Sequence, residues 1–290
     1  MNKGYIKIAL ALLSVAGFMQ NIAFASESEP IINSSNEQVE QVLYENDEDV
    51  QQPFYNDVNE TKQAEKTMFE ALSLIKKHAK HTDDYEIYDK VDDEACLYYK
   101  RVNDVDIGKL ELTLPNPDNY DGIINLLWNP QGAEHFDGAF IEGCFVRMYN
   151  ENLVILEQRH HCILKSWIGY YHALAKKFQL SDKETAIVLA SSNINAHDPK
   201  NTRKFVNPLV KSAKLFNPDI NSAEDIREGQ LSKMYVNLLG FIVKKEEDCV
   251  KITYVISIDT NLPWLTPNRL IRSGVANKMY DIIKLRNMFQ

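Results

Sequence analysis

The stretch "KITYVISIDTNLPWLTPNRLIRSGVANKMYDIIKLRNMF", Lys251 to Phe289, decides the fold. In its first part Ile252, Tyr254, Ile256 and Ile258 alternate with Thr253, Val255, Ser257 and Asp259. That period of two marks a strand with one apolar face and one half-polar face. Past Pro263 and Pro267 the period changes, and Ile271, Val275, Met279, Ile282 and Ile283 recur at helical spacing. Just upstream, "KMYVNLLGFIVKK" (Lys233–Lys245) is apolar on both faces. A strand of that kind needs cover on both sides, and the terminal helix can supply one of the two covers. A long helix laid across a bent antiparallel sheet encloses either a packed core or a hollow, and periodicity does not distinguish them.

Working outward, Lys62–His81 places Ala64, Met68, Leu72, Ile75 and Ala79 on one stripe, an amphipathic helix. Three strand-like runs follow, "YEIYDKV", "ACLYYKRV" and "DIGKLELTLP", separated by short charged turns that imply antiparallel hairpins. In the last run Leu110, Leu112 and Leu114 alternate with Lys109, Glu111 and Thr113, the pattern of a sheet wet on one side. Pro117–Trp128 reads as a helix with proline at its start, and a short helix is expected near "QGAEHFDGA". Strands are then expected at "ENLVILEQRHH", "WIGYYHALAKKF", "ETAIVLASSN", near "KFVNPLVKSAKLF", and at the two runs described first. Helices grouped at the ends and middle of an antiparallel run define an α+β class.

The chain has 290 residues, 44% of them hydrophobic, enough for one sizeable core. Lys3 and Lys7 precede the apolar run "IALALLSVAGFM", with Ala23-Phe24-Ala25 behind it, the pattern of a secretory signal over residues 1–25. Residues 26–60 hold ten acidic and no basic side chains, keep no helical or strand period, and read as a disordered acidic tether carrying sequons at Asn33 and Asn59. Nearly all of the chain's net charge of −9 lies there. Residues 61–290 are electrically balanced and form no basic block, which disfavours a nucleic-acid partner. Four cysteines, Cys96, Cys144, Cys162 and Cys249, permit three pairings or buried thiols, and their spacing matches no zinc pattern.

Catalytic chemistry finds little to stand on. His160 and His161 are adjacent on a strand, so they point to opposite faces and do not chelate one ion. There is no GxSxG, HExxH or glycine-rich phosphate loop, and nothing ties the serines of "LASSN" to a base. Glu157 and Arg159 share a strand face and read as a surface ion pair by default, with a polar pair inside the cavity as the alternative. No catalytic residue, metal or cofactor is expected.

At "TYVISIDTNLPWLTPNRLI" the chain resembles the closing strand and helix entry of START domains, the steroidogenic-acute-regulatory-related lipid-transfer fold. "LLWNPQGAEHFDGAF" resembles their short helix pair, with Phe136-Asp137 where Trp-Asp is usual. The leader and the blocks "MYNENLVI", "YYHALA", "ETAIVLASS" and "LSKMYVNL" are similar to the secreted fam-a proteins of rodent malaria parasites. The resemblance implies a helix-grip domain over 61–290, a curved antiparallel sheet wrapped on the terminal helix around one lipid. It implies a monomer in transient contact with membranes, secreted toward the parasitophorous vacuole or the host erythrocyte. No Arg-x-Leu-x-acid export motif follows the leader.

The acidic–basic pair of sterol-binding relatives would fall near Ala173 and Ala190 or Ser191, so it is missing. A phosphocholine head would take an aromatic cage and a cation for its phosphate. Trp128, Tyr170, Tyr171 and Tyr254 are the candidate cage walls, with Arg101 or Arg147 as phosphate partner. Ile256, Leu270, Ile271, Gly274, Val275 and Met279 complete the lipid-contacting set. The expected function is intermembrane transfer of a phospholipid such as phosphatidylcholine, with the terminal helix, entered at Pro263 and Pro267, as the lid. The alternative is a secreted surface-interaction protein whose hollow is filled by side chains. Gly240 and Gly274 argue for room, Phe241 and Met279 against it.

Overall fold

The computed structural model describes residues 54–80, 84–161, 167–262 and 266–290. The signal and most of the tether, together with Cys162 and Pro263, lie outside the described residues.

The first helix, α1 (Val58–Lys80), starts four residues earlier than periodicity suggested. Asp57 sets that start: its Oδ1 accepts the backbone N–H groups of Asn59 and Glu60, each at 2.9 Å. Glu60 in the first turn and Lys77, His78 and Lys80 in the last suit the helix dipole. Three strands follow: β1 (Glu86–Lys90), β2 (Ala95–Val102) and β3 (Val105–Pro115). The β2–β3 turn is two residues, Asn103 and Asp104, both at positive φ (48° and 63°), the conformation a tight hairpin of this hand requires.

Helix α2 (Tyr120–Trp128) and a 3₁₀ turn at Gly132–His135 separate these from β4 (Phe140–Asn150), β5 (Leu153–His161), β6 (Ile168–Ser181) and β7 (Glu184–Ala190). A long irregular stretch carries the four-residue α3 (Glu224–Arg227) and the two-residue β8 (Ser232–Lys233). The chain then closes with β9 (Tyr235–Lys245), β10 (Cys249–Asp259), α4 (Asn268–Ile283) and α5 (Leu285–Met288). The strands form one curved sheet in the order β1-β2-β3-β10-β9-β7-β6-β5-β4, antiparallel throughout, with β8 pairing parallel to β6.

Both faces of this sheet are covered. On one, Met68, Ala71, Leu72 and Ile75 of α1 pack on Leu174, Val188, Leu238 and Val255. On the other, α2, α4 and α5 lie over Leu110, Leu112, Ile187, Leu239, Ile252 and Ile256. Lys109, expected on a wet face, is fully buried; its ammonium lies 2.7 Å from Glu111 and donates to the Ala79 carbonyl at 3.2 Å, because the end of α1 covers this part of β3.

Two expectations of the strand list are corrected. Phe140–Asn150 is a strand that was not anticipated: three irregularities in its pairing with β5 break the alternation by which strands are read. Conversely, the run near "KFVNPLVKSAKLF" is a loop ending in a 3₁₀ turn at Lys211–Leu215. Asn207 organises it, donating to Ser191 and Asn237 carbonyls at 2.9 Å while its Oδ1 accepts from Leu209 and Val210. The run reads as apolar because Leu209, Val210, Ala213 and Phe216 join the core under α1.

Candidate functional site: a cavity under the terminal helix

Helix α4 lies over the sheet without filling the space beneath it. A cavity of about 170 Å³ remains, floored by β5, β6, β7, β9 and β10 and roofed by α4, with α2 and the 3₁₀ turn at one side. Most of its wall is apolar, for example Leu126, Leu156, Ala175, Leu189, Phe241 and Ile256.

The helix is pinned along its length. Arg272 donates to both oxygens of Asp106 at 2.9 Å, and Tyr280 donates to Asp89 at 2.5 Å. Met279 is fully buried against β3, where a Cβ on Gly108 would sit 3.1 Å from its Cε. Lys278 reaches across the cavity rim and donates to Asp137, and Lys284 donates to the Phe136 carbonyl at 3.1 Å. The Phe136-Asp137 corner is therefore gripped by Lys278 of α4 and by Lys284 just beyond its end.

Polar groups gather at this rim. Lys278 Nζ also lies 3.1 Å from His160 Nδ1, which is 3.5 Å from Asp137 Oδ2. Burial alone would raise the Asp137 carboxyl, but its hydrogen bond with His160 and the Lys278 charge outweigh it and hold the group well below the usual carboxylate range. Burial and then Lys278 push His160 down to about 4, so its ring is neutral at pH 7. Tyr171 donates to Gln158 Oε1, and Gln158 Nε2 donates to the Pro130 carbonyl at 3.1 Å. Asp281 accepts from Lys284 at 2.6 Å; burial raises its carboxyl, with Asp137 adding in the same direction.

The residues singled out from the sequence divide by face. Trp128, Tyr171, Tyr254, Ile256, Ile271, Gly274 and Val275 line the cavity. The Trp128 ring is 5.6 Å from Phe145 and carries Lys177 Nζ at 5.5 Å. Tyr171 stacks on His160 at 5.8 Å, and Tyr254 on Phe241 at 4.4 Å. Leu270 is half-buried and Met279 buried, neither in the wall.

Arg147 and Tyr170 are on the opposite face. Arg147 donates to Glu60 of α1 and to the Asp219 carbonyl, each at 2.5 Å, with its guanidinium 4.1 Å from the Tyr55 ring. Tyr170 is fully buried and donates to Asp198 at 2.7 Å. Adjacent strand residues point oppositely, so Tyr170 and Tyr171 do not share one cage. Arg101 stands outside as well, its side chain about half exposed and 3.6 Å from Asp106.

Two further readings change, and the alternatives for the cysteines narrow. Glu157 and Arg159 are not a surface pair: Glu157 is buried, accepts from Arg159 at 2.9 Å and lies 2.7 Å from His172 Nε2, while Arg159 also grips Asp225. Gly240 makes room for α1 rather than for the cavity, since a Cβ there would lie 2.7 Å from Ile75 Cδ1. Cys96, Cys144 and Cys249 are free thiols.

Lys278, His160, Gln158 and Asp281 were missed as cavity residues. A lysine at the edge of an apolar helical stripe, three residues after Val275 and four before Ile282, was the available signal.

A scan of the sequence against protein-family models finds no match, and a search of curated proteins finds none either. Solved structures do match. Human StAR-related lipid transfer protein 5 aligns with a TM-score of 0.57 at 8% identity, covering 79% of this chain and 97% of that one. Human STARD10 aligns at 0.52 and 10% identity over 75% of this chain and 76% of that one. The lipid transfer and protein localization domain of human StarD13 (DLC2) aligns at 0.51 and 13% identity over 76% and 95%. This chain has the START helix-grip fold, an α+β architecture in which a curved antiparallel sheet faces a C-terminal helix.

Proposed function

We propose that the protein binds one lipid in the cavity under α4 and carries it between membranes, without catalysis. The observation that carries this reading is the cavity itself: an apolar hollow is left between sheet and lid in a fold whose matched structures are named for lipid transfer. Each methylene moved from water into such a wall is stabilised by about 0.8 kcal/mol. A bilayer offers nearly the same, so equilibrium between membrane and protein is close to neutral and what the protein changes is the barrier. The lid is α4, the surface it opens toward is a membrane, and the working unit is a monomer.

The finer expectation, phosphatidylcholine, keeps part of its support and loses part. Trp128, Tyr171 and Tyr254 stand in the wall. Neither Arg147 nor Arg101 does, and Lys278, a cation that does, is engaged by Asp137 and His160. Membership of the secreted fam-a group, the signal over residues 1–25 and a destination in the parasitophorous vacuole or host erythrocyte belong to the same proposal and rest on the sequence blocks. N-terminal sequencing of the secreted protein, expected to begin near Ser26, tests that part.

The second reading, a surface-interaction protein whose hollow is filled by side chains, draws on the volume. About 170 Å³ lies below the roughly 300–1,000 Å³ of drug-sized ligand sites. Transfer of a fluorescent lipid between donor and acceptor vesicles separates the two. The carrier reading expects acceleration by wild type that is lost in Ala175→Trp, which plugs the wall. Wild type no faster than buffer would favour the second reading.

A further inference from the structure

Helix α1 packs one face on the sheet and turns the other to solvent, and that outer face carries charge of a single sign. Lys62, Lys66, Phe69, Lys76, Lys77 and Lys80 recur at helical steps, which gathers them within about 100° of the helix circumference. At 1.5 Å of rise per residue the row from Lys62 to Lys80 is about 27 Å long. None of these five ammonium groups makes an ion pair or a hydrogen bond among the described residues. The three carboxylates of the helix are all engaged elsewhere. Glu60 accepts from Arg147 and Tyr149, Glu65 from Lys176, and Glu70 from the backbone N–H groups of Lys211 and Ser212 at 3.0 and 2.8 Å. The helix thus spends its acids on its neighbours and shows its bases to water.

Two apolar side chains stand in this basic field. Phe69 is 56% exposed at its middle, 5.5 Å from the Phe178 ring. Glu70 ties the 3₁₀ turn Lys211–Leu215 beside the same stretch of helix, and that turn adds exposed Lys211 and Lys214 and a half-exposed Leu215. An acidic protein could neutralise the lysines, but it would leave Phe69 and Leu215 in water unless it carried apolar sockets opposite them. A flat anionic surface with an apolar interior takes both kinds of side chain: ammonium groups at its phosphates, the two apolar groups at the acyl boundary. The apolar face of α1 is already packed on the sheet, so the helix itself does not insert. The contact is electrostatic, tipped by two side chains, and reversible.

We propose that the outer face of α1, with the Lys211–Leu215 turn beside it, docks the protein on a bilayer surface bearing anionic head groups. Because α1 and α4 lie on opposite faces of the sheet, this contact is separate from the lid and needs no ligand in the cavity.

The test is co-sedimentation of the full-length protein with vesicles of phosphatidylcholine alone or with about 30% phosphatidylserine. Wild type should bind the anionic vesicles about tenfold or more tightly than the neutral ones, and lose the preference in about 1 M salt. Lys66→Gln combined with Lys77→Gln should weaken binding about twentyfold, since each lysine near such a surface contributes about fivefold. Phe69→Ser should weaken it several-fold with the charge unchanged. The apolar N-terminal run is common to wild type and variants, so differences between them report α1, and thermal melts check that each variant folds. No preference for anionic vesicles, or a lysine variant that binds like wild type, overturns the proposal. Soluble poly-glutamate that displaces the vesicles, together with a Phe69→Ser variant that binds as wild type does, assigns the face to an acidic protein and overturns it too. The lipid content of the purified protein is measured apart from docking, so failure here leaves the carrier reading standing.

Discussion

The two faces of the sheet are each covered by a long helix, yet they are built to different ends. On the α1 face the fit is close: Ile75 enters the space left by Gly240, and loop residues 209–216 close the margin. On the α4 face the helix stands off, held by Arg272, Lys278 and Tyr280 around the rim, and about 170 Å³ stays open beneath it. Apolar periodicity is the same on both. What differs is where the polar contacts fall: at the margins of a packed core on one face, and around the mouth of a hollow on the other. Cover and closure are thus separable properties of a helix on a sheet.

That contrast can be broken by truncation, where the largest effect is expected. Ile75→Ala removes fully buried atoms from the close-packed face and should cost about 2–5 kcal/mol in urea denaturation. Ile271→Ala, the same change at a half-buried position on the cavity wall, should cost under about 1.5 kcal/mol. Equal costs would mean that the α4 face is packed as tightly as the other.

Acid probes both faces through histidine. Burial, then Lys278, lowers His160 from 6.5 to about 4; burial, then Lys100, lowers His78 to about 4. In each case the unfolded chain binds the proton more readily between pH 6.5 and 4, so stability is full above that window and falls as pH drops through it. For His160 the loss between pH 7 and 4 should be roughly 3 kcal/mol. His160→Gln should remove roughly half of the pH dependence measured by denaturation across that range, leaving the part that His78 supplies. An unchanged profile would show that the ring is hydrated in the folded protein.

Enlargement sharpens the same comparison with smaller effects. Gly240→Ala brings a Cβ to 2.7 Å from Ile75 Cδ1 and should destabilise by about 1–3 kcal/mol. Ala175→Leu grows into the cavity and should change stability by less than about 1 kcal/mol, while lowering lipid uptake. If Ala175→Leu proves the more damaging of the two, the space beneath α4 is not available. Last, Asp137→Asn weakens the grip of Lys278 on the rim and, because the carboxylate is buried, should cost about 1.5–3 kcal/mol. Its signature is faster lipid exchange, read in the vesicle assay.

Much of the architecture is legible because it rests on period and punctuation. The alternation of Ile252, Tyr254 and Ile256, and the helical recurrence of Val275 and Met279, are local signals that tertiary context left intact. Strand β4 escaped because its irregular pairing scrambles alternation, and 204–216 misled because a covering loop can be as apolar as a strand. The site was legible only in part. Strand parity, available from the sequence, already separates Tyr170 from Tyr171. Arg147 could not be placed that way, since the irregularity between Phe145 and Arg147 shifts its register. The Asp137–Lys278 contact joins residues 141 apart in sequence, and no spacing rule reaches that far.

Whether the space under α4 holds a lipid decides between the two readings of this fold. The most direct measurement is native mass spectrometry of the full-length protein purified without detergent, followed by solvent extraction and identification of what is released. Close to one lipid per protein is expected, displaced in Ala175→Trp. A protein that is empty as purified and stays empty after incubation with lipid vesicles would contradict it.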